Sequence, residues 1–163
     1  MINASLREEV TYPSSSSAAQ LSLGNVIDDR ICELLETFGL LHLAELYRLD
    51  SPRNWEDLLS LGEQQRVAII RLILHRPALA ILDECTSAIS ESQQETFYRY
   101  LRSLNIAYIS VGHRPELFGF HDTVVVPPSC VERLAGLNHL LQVLRLEGRG
   151  SARYSLISQQ CKI

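Results

Sequence analysis

The sequence predicts an α/β fold in which a helical region precedes an incomplete, mainly parallel sheet. Residues 28–76 carry apolar side chains mostly at helical spacing. Residues 78–84 (ALAILDE) and 105–113 (NIAYISVGH) are short apolar runs with β-branched residues. The stretch between them, from about Glu91 to Leu104, has a helical pattern. Strand, helix and strand at this length indicate a parallel βαβ unit.

The helical region is expected to contain three helices. The first starts at the acidic pair Asp28 and Asp29 and stops at Gly39. The second is the shorter run LLHLAELY, which ends before the Ser51–Pro52 pair. The third follows Gly62 and ends at the Arg76–Pro77 pair. Each helix presents apolar residues on one face, as an amphipathic helix packed on a core does.

The rest of the chain is expected to add strands and loops. A third apolar run, DTVVV, occupies residues 122–126, and two candidate strands, QVLRL and ARYSLI, lie near the end of the sequence. Residues 13–22 are small and polar and predict a flexible loop. The sequence shows no internal repeat.

Composition favours one domain and argues against several classes of protein. The chain has 163 residues, of which 46% are hydrophobic and 21% charged. A net charge of −4 with scattered arginines gives no reason to expect a nucleic-acid partner. Four widely spaced cysteines, with no CxxC pair, fit a reducing compartment better than a disulfide scaffold or a zinc site. No stretch has the ~18 apolar residues of a membrane span, and the N-terminus lacks the pattern of a signal peptide.

Polar residues with catalytic potential follow two of the predicted strands. Asp83 and Glu84 end the first, and His113 ends the second. Parallel strands carry their chemistry at their carboxyl ends. There, a carboxylate suits a magnesium ion that shares a nucleotide phosphate, and a second carboxylate can polarise water. The competing interpretation is structural, because acidic residues also commonly start the loop or helix after a strand.

The stretch LSLGEQQR, residues 59–66, predicts a helix start that could bind an anion. Ser60 and Gly62 lie where unpaired backbone N–H groups and the helix dipole favour a phosphate. An ordinary capping box, with Ser60 as cap and Glu63 three residues later, explains the same pattern without a ligand. The spacing to the acidic strand end favours the phosphate interpretation.

In its motifs the sequence resembles the ATP-binding cassette (ABC) family. LSLGEQQR looks like the signature motif, with Leu61 where the usual pattern has glycine. ALAILDE looks like the Walker B strand, TSAIS (86–90) like the D-loop, with Ser90 in place of the usual acidic residue, and SVGHRPEL (110–117) like the H-loop. NWEDLLSLGEQQR, LDECTSA and SVGHRP look most like subfamily D transporters of peroxisomes and lysosomes and related bacterial inner-membrane exporters.

This resemblance implies a role for each matching residue, and it implies ATP and Mg²⁺ as cofactors. Ser60 and Gly62 would contact the γ-phosphate of an ATP held mainly by a second cassette, and Gln64 would lie beside them on the signature helix. The remaining roles fall after the strands: Asp83 would support Mg²⁺, Glu84 would position or activate water, and His113 would contact the γ-phosphate. A packed histidine at a strand end is the alternative for His113.

The resemblance also predicts how the chain is divided into parts of a cassette. A partial P-loop NTPase cassette would occupy residues 1–163, with a helical subdomain carrying the signature motif and a second part carrying Walker B, D-loop and H-loop. The segment VPPSCVERLAGLNHLLQ has no counterpart in the family and is expected to be an insertion, either a surface helix or mis-predicted coding sequence. The expected divisions are the helical subdomain at about 23–76, the Walker B to H-loop part at 77–125, the insertion at 126–142 and closing strands at 143–157.

The sequence contains no Walker A loop, whose GxxxxGK[ST] backbone cradles the phosphates of ATP. Lys162 is the only lysine and no glycine-rich run precedes it, so the sequence is expected to start downstream of the Walker A portion. An ATPase by family is therefore predicted to be inactive as an isolated chain.

Three functions remain open from the sequence. We expect the C-terminal part of the ATP-binding domain of an ABC transporter, acting with a second cassette and with a transmembrane domain outside this chain. A non-catalytic accessory piece that docks on a complete cassette and a gene fragment without activity are the alternatives. A soluble ABC protein of DNA repair or translation is less favoured, since it would lack the subfamily D features.

The resemblance narrows the membrane in which such a transporter would lie, but it does not identify the transported substrate. The membrane would be peroxisomal or lysosomal in a eukaryote and the inner membrane in a bacterium, with this chain itself soluble. The transported substrate, whether acyl-CoA or fatty acid, cobalamin or peptide, stays open.

Overall fold

The computed structural model describes residues 3–13, 24–112, 114–125 and 155–158. The chain divides into two compact units. Unit 1 comprises Met1–Arg76 and Ala88–Phe97, and unit 2 comprises Pro77–Ser87 and Tyr98–Ile163. An α/β fold with a small parallel sheet is therefore confirmed.

Unit 1 is mainly helical. A two-stranded antiparallel sheet pairs β1 (Asn3–Ala4) with β2 (Arg53–Asn54). The helices lying wholly within the unit are α1 (Leu6–Thr11), α2 (Gly24–Thr37), α3 (Leu41–Tyr47), α4 (Trp55–Leu58) and α5 (Leu61–His75).

Local sequence explains where these helices start and stop. Ser5 caps α1 by accepting a hydrogen bond from the Glu8 backbone N–H, while the Glu8 carboxylate accepts from the Ser5 backbone N–H at 2.8 Å. Gly39, just past α2, has a φ of +67°, the left-handed conformation that glycine adopts without steric cost. Helix α5 ends at His75, and its C-cap, Arg76, is also left-handed and directly precedes Pro77. The predicted stops of α2 and α5 are confirmed, but α2 begins at Gly24 rather than at the acidic pair at 28–29.

The core of unit 1 is apolar and joins the N-terminal segment to the helices. Trp55 is fully buried, and its indole N–H donates to the Ala4 carbonyl at 2.8 Å. The Arg71 side chain donates to the buried Glu9 carboxylate and to the Glu9 carbonyl at 2.8 Å, so this buried charge is paired. The other fully buried side chains include Leu6, Val10, Ile31, Leu34, Leu35, Phe38, Leu40, Val67 and Ile70.

Unit 2 is built on a four-stranded, fully parallel sheet in the order β3-β4-β6-β5. Helix α6 (Glu91–Ser103) connects the first two strands, and from Tyr98 onward it belongs to this unit. A 3₁₀ helix (Pro115–Phe120) follows β4. The strands are β3 (Leu79–Asp83), β4 (Ala107–Gly112), β5 (Thr123–Val125) and β6 (Ser155–Ser158).

The expected βαβ unit is confirmed, with β3, α6 and β4 close to their predicted bounds. The predicted strand at 152–157 is found in part as β6, which inserts between β4 and β5. The predicted strand QVLRL, the insertion at 126–142 and nearly all of the predicted loop at 13–22 lie outside the described residues. Across the described ranges, no helix is both long enough and apolar enough to cross a membrane.

Candidate functional site

The signature stretch forms the start of α5, as the sequence predicts. Ser60 is the N-cap of this 15-residue helix, and both hydrogen bonds of a capping box with Glu63 are present. The Ser60 hydroxyl donates to the Glu63 carboxylate at 2.6 Å, and the Ser60 backbone N–H donates to it at 2.9 Å. These bonds from Ser60 hold the pKa of Glu63 below its usual value. The helix start therefore already engages a carboxylate with the groups that a phosphate would use.

Gly62 lies against the backbone of the D-loop-like stretch. A Cβ added at Gly62 would come within 2.7 Å of the Ala88 carbonyl oxygen, closer than real Cβ contacts. The Ala88 N–H donates to the side-chain oxygen of Gln65 at 2.9 Å. The first turn of α5 and Ala88 are thus held together by a close approach and a hydrogen bond, and this contact requires glycine at position 62.

Two of the polar side chains that follow Gly62, those of Gln64 and Arg66, bind backbone carbonyls of unit 1. The Gln64 amide donates to the Leu59 carbonyl at 3.0 Å and the Glu56 carbonyl at 3.3 Å, on the turn that leads into α5. Arg66 donates to the Phe38 carbonyl at 3.0 Å. Both side chains therefore position the signature helix, and a Gln64 contact to nucleotide stays a prediction.

The acidic pair lies at the carboxyl end of β3, in unit 2. Asp83 is the last residue of the strand and pairs in register with Val111 of β4. Glu84 follows with a φ of +44°, its N–H donates to the Val111 carbonyl at 2.9 Å, and its carbonyl accepts from the Ser87 N–H at 3.0 Å. Both acidic residues are exposed. A non-glycine residue in the left-handed region costs about 1 kcal/mol or more and is common at functional sites.

A small open pocket lies beside Glu84, entirely within unit 2. Burial raises the pKa of the Cys85 thiol to about 12, so this cysteine is a poor nucleophile at neutral pH. Burial likewise raises the pKa of the Tyr98 phenol. The Arg114 side chain donates to the Ser87 carbonyl at 2.6 Å. This hydrogen bond links the segment that follows β4 to the turn that follows β3. The lining residues are Glu84, Cys85, Thr86, Ser87, Tyr98, Val111, Gly112, Arg114 and Leu117.

The structure sorts the predicted site residues into two groups. Ser60, Gly62 and Gln64 lie at the start of α5 in unit 1, and Asp83 and Glu84 lie at the end of β3 in unit 2. His113 lies outside the described residues. Sequence reasoning did not predict the contacts that Gln65 and Arg114 make, because each binds a backbone atom distant in sequence.

The acidic strand end fits a magnesium ion held partly by phosphate. No group of three or more histidine, cysteine or acidic side chains that could cage a metal is found in the described part of the chain. Magnesium in nucleotide sites needs only one or two carboxylates, since substrate phosphates and waters complete its coordination. The exposed carboxylates of Asp83 and Glu84, at and just after the end of β3, meet that requirement.

Ligands of open α/β sheets bind outside the carboxyl ends of the strands, which is where Asp83 lies. The family model "ABC transporter" matches residues 3–87, more than half of the chain. The chain therefore belongs to the ABC transporter family.

Similar proteins come from subfamily D and from bacteria. An uncharacterized ABC transporter ATP-binding protein of Synechocystis is 45% identical over 122 residues, covering 74% of this chain and 17% of that protein. ABC transporter D family member 1 of Arabidopsis thaliana is 40% identical over 120 residues, 74% of this chain and 9% of that protein. The lysosomal cobalamin transporter ABCD4 of Mus musculus is 42% identical over 123 residues, 74% of this chain and 20% of that protein. The chain thus spans about a tenth to a fifth of the length of these curated relatives.

Proposed function

We propose that this chain is the C-terminal part of the ATP-binding domain of a transporter and supplies the signature, Walker B and H-loop portions of ATP sites shared with a second cassette. One observation carries the proposal: Ser60 caps the 15-residue helix α5, and β3 of the parallel sheet ends at Asp83, with Glu84 directly after it. Membership of the ABC transporter family supports it.

Ser60 and the first turn of α5 would bind the γ-phosphate of an ATP held mainly by the partner cassette. In this structure the Ser60 hydroxyl and N–H donate to the Glu63 carboxylate. A phosphate oxygen accepts the same hydrogen bonds, so it would take the place of the carboxylate as Glu63 swings away. Gly62 leaves the helix start free of a side chain, and Gln64 holds the preceding turn in place.

The residues after the strands would act on the chain's own side of the site. Asp83 would hold Mg²⁺, which on binding neutralises charge on the β- and γ-phosphates. Glu84 would orient the attacking water and draw its proton, and His113 would contact the γ-phosphate. The hydrogen bond from the Glu84 N–H to Val111 supports this role, because it fixes the backbone that carries the carboxylate.

These residues would need a P-loop to act. Catalysis of phosphoryl transfer depends almost wholly on positioning and on charge stabilisation by the phosphate cradle and its lysine. The 163 residues contain no GxxxxGK[ST] run, and Lys162 is the only lysine. The 163-residue chain by itself is therefore an incomplete cassette without ATPase activity, and its service to transport would depend on a second cassette and a membrane domain.

The accessory alternative has one specific observation in its favour. The signature side of the site is preserved at Ser60 and Gly62 while the sequence has no Walker A loop. A chain of this kind could complete the site of a partner whose own P-loop holds ATP, and could leave its own side empty. By analogy with subfamily D and its bacterial relatives, the setting of either function would be a peroxisomal or lysosomal membrane in a eukaryote or the inner membrane in a bacterium, and the cargo would be set by the membrane domain.

ATP-dependent association tests the proposal. The chain is passed over an immobilised complete subfamily D cassette in Mg²⁺ with ATP or with ADP. We expect at least ~10-fold more retention with ATP, since charge-assisted hydrogen bonds to the γ-phosphate exist only in that state. Ser60→Asp serves as the matched variant, because it preserves an N-cap but places a charge against the phosphate. Retention of that variant equal to the wild type would contradict the proposal.

A further inference from the structure

The start of helix α5 carries a carboxylate whose two oxygens face different partners. Oε2 of Glu63 accepts hydrogen bonds from the Ser60 N–H at 2.9 Å and from the Ser60 hydroxyl at 2.6 Å. The other oxygen, Oε1, lies 3.4 Å from Nε2 of His42, which belongs to helix α3. All three residues lie in unit 1. Glu63 therefore bridges the start of α5 and a histidine of another helix.

The Glu63 carboxylate opposes the binding of a phosphate at Ser60. It occupies the N–H and the hydroxyl that a phosphate oxygen would use. It also carries the same sign of charge as a phosphate, and two like charges at this separation repel each other. A phosphate can therefore bind only when the carboxylate has left Ser60, and the free energy of that displacement weakens the observed affinity.

His42 can receive the displaced carboxylate. The charge of Arg66, three residues further along α5, also acts on Glu63. The Arg66 side chain, however, donates to the Gly62 carbonyl at 3.1 Å and to the Phe38 carbonyl at 3.0 Å, so its guanidinium is already held. The side chain of His42 is 45% exposed, which leaves its ring room to turn towards a carboxylate that moves. A protonated histidine carries the positive charge that such a carboxylate needs.

We infer that His42 is a positioning residue for phosphate at Ser60, because it binds the Glu63 carboxylate that the phosphate displaces. The carboxylate then has two positions, one on Ser60 and one on His42, and a phosphate selects the second. In the first position Glu63 is an intramolecular competitor of the ligand. This inference rests on the proposed function, in which Ser60 binds the γ-phosphate of an ATP held by a second cassette.

Binding of inorganic phosphate to the 163-residue chain tests the inference without a partner. The backbone amide signals of Leu61 and Gly62 are followed by NMR during a phosphate titration at neutral pH. We expect His42→Arg, which carries a permanent charge, to bind phosphate at least ~3-fold more tightly than the neutral His42→Gln. Equal affinities of these two variants would overturn the inference.

Removing the competitor is expected to strengthen binding. Glu63→Gln loses the charge but retains a side chain that is common in capping boxes, so the helix start is preserved. We expect this variant to bind phosphate at least ~3-fold more tightly than the wild type, since an exposed ion pair contributes up to about 1 kcal/mol. An affinity equal to or below that of the wild type would show that Glu63 does not compete, and would overturn the inference.

A double-mutant comparison separates the inferred role of His42 from a general effect of charge. In the Glu63→Gln background the difference between His42→Arg and His42→Gln is expected to fall below ~1.5-fold, because no displaced carboxylate is left to bind. Val26→Arg adds the same charge at a position of unit 1 that is 66% exposed, and it is expected to leave the affinity unchanged. A difference that persists in that background, or an equal gain from Val26→Arg, would assign the effect to direct attraction of phosphate and overturn the inference.

Retention on the ATP-loaded cassette distinguishes a failure of this inference from a failure of the proposed function. We expect retention to follow the charge at position 42, with His42→Arg above the wild type and His42→Gln below it. ATP-dependent retention of the wild type that is insensitive to this charge would reject the inference alone. Phosphate binding that follows the charge, without any ATP-dependent retention, would reject the proposed function and support the inference about Glu63 and His42.

Discussion

At the scale of single residues, Gly62 is a position where a neighbouring backbone leaves no room for a side chain. An added Cβ would meet the Ala88 carbonyl at 2.7 Å, and a backbone atom cannot move aside cheaply. Gly62→Ala should therefore lower the free energy of unfolding by about 1–3 kcal/mol. Urea unfolding followed by circular dichroism measures this effect. Gly119→Ala is the matched control, because a Cβ there meets nothing within 4 Å, and equal stability of the two variants would show that the close approach is absent.

His121 is a buried histidine that makes stability depend on pH. Its Nδ1 lies 2.7 Å from the Leu117 carbonyl, and no partner of its Nε2 is found in the described part of the chain. Burial lowers the pKa of His121 to about 4, below the usual 6.5. Between these values the unfolded chain binds a proton that the folded chain does not, so stability is full above pH 6.5 and falls as the pH drops.

The expected loss from His121 is about 2 kcal/mol between pH 7 and pH 5. Urea unfolding at the two pH values measures it, and His121→Phe, which retains an aromatic ring but cannot titrate, should shrink the difference by that amount. An unchanged difference in the variant would assign the pH dependence to other groups.

At the scale of elements, two substitutions of the N-cap Ser60 distinguish its role in stabilising helix α5 from its proposed role in binding phosphate. Ser60→Ala removes both hydrogen bonds that the hydroxyl makes in the capping box and should destabilise the chain by about 1 kcal/mol. Ser60→Asp should leave the stability nearly unchanged, because aspartate is a good N-cap. Thermal unfolding of the two variants makes the comparison. Equal losses would mean that the hydroxyl has a role in the fold beyond capping.

Elements that depend on local sequence could be predicted, whereas those that depend on long-range packing could not. The ends of α2 and α5, the βαβ unit and the capping box at Ser60 could be predicted, because glycine, proline and periodicity act locally. Helix α1 was missed although Ser5 and Glu8 form a readable capping box, since the segment is short. The insertion of β6 between β4 and β5 could not be predicted, because sheet order is set by long-range packing. The hydrogen bonds of Gln65 to the Ala88 N–H and of Arg114 to the Ser87 carbonyl depend on the same packing.

At the scale of the whole molecule, family membership and activity are separate matters. The chain belongs to the ABC transporter family and covers a minor part of each relative's length. We propose that its acidic strand end and its capped helix α5 contribute to an ATP site, and the 163 residues contain no GxxxxGK[ST] run that could form the phosphate cradle. We therefore propose that ATPase activity belongs to a two-cassette assembly.

The most direct test is ATP turnover by the purified 163-residue chain, alone and mixed with a complete subfamily D cassette, with Glu84→Gln as the control. We predict no turnover by the chain alone and a change in the partner's rate that Ser60→Asp abolishes, because the phosphate cradle must come from the partner. Turnover by the chain alone that vanishes in the Glu84→Gln variant would contradict the central claim that this chain needs a P-loop from elsewhere.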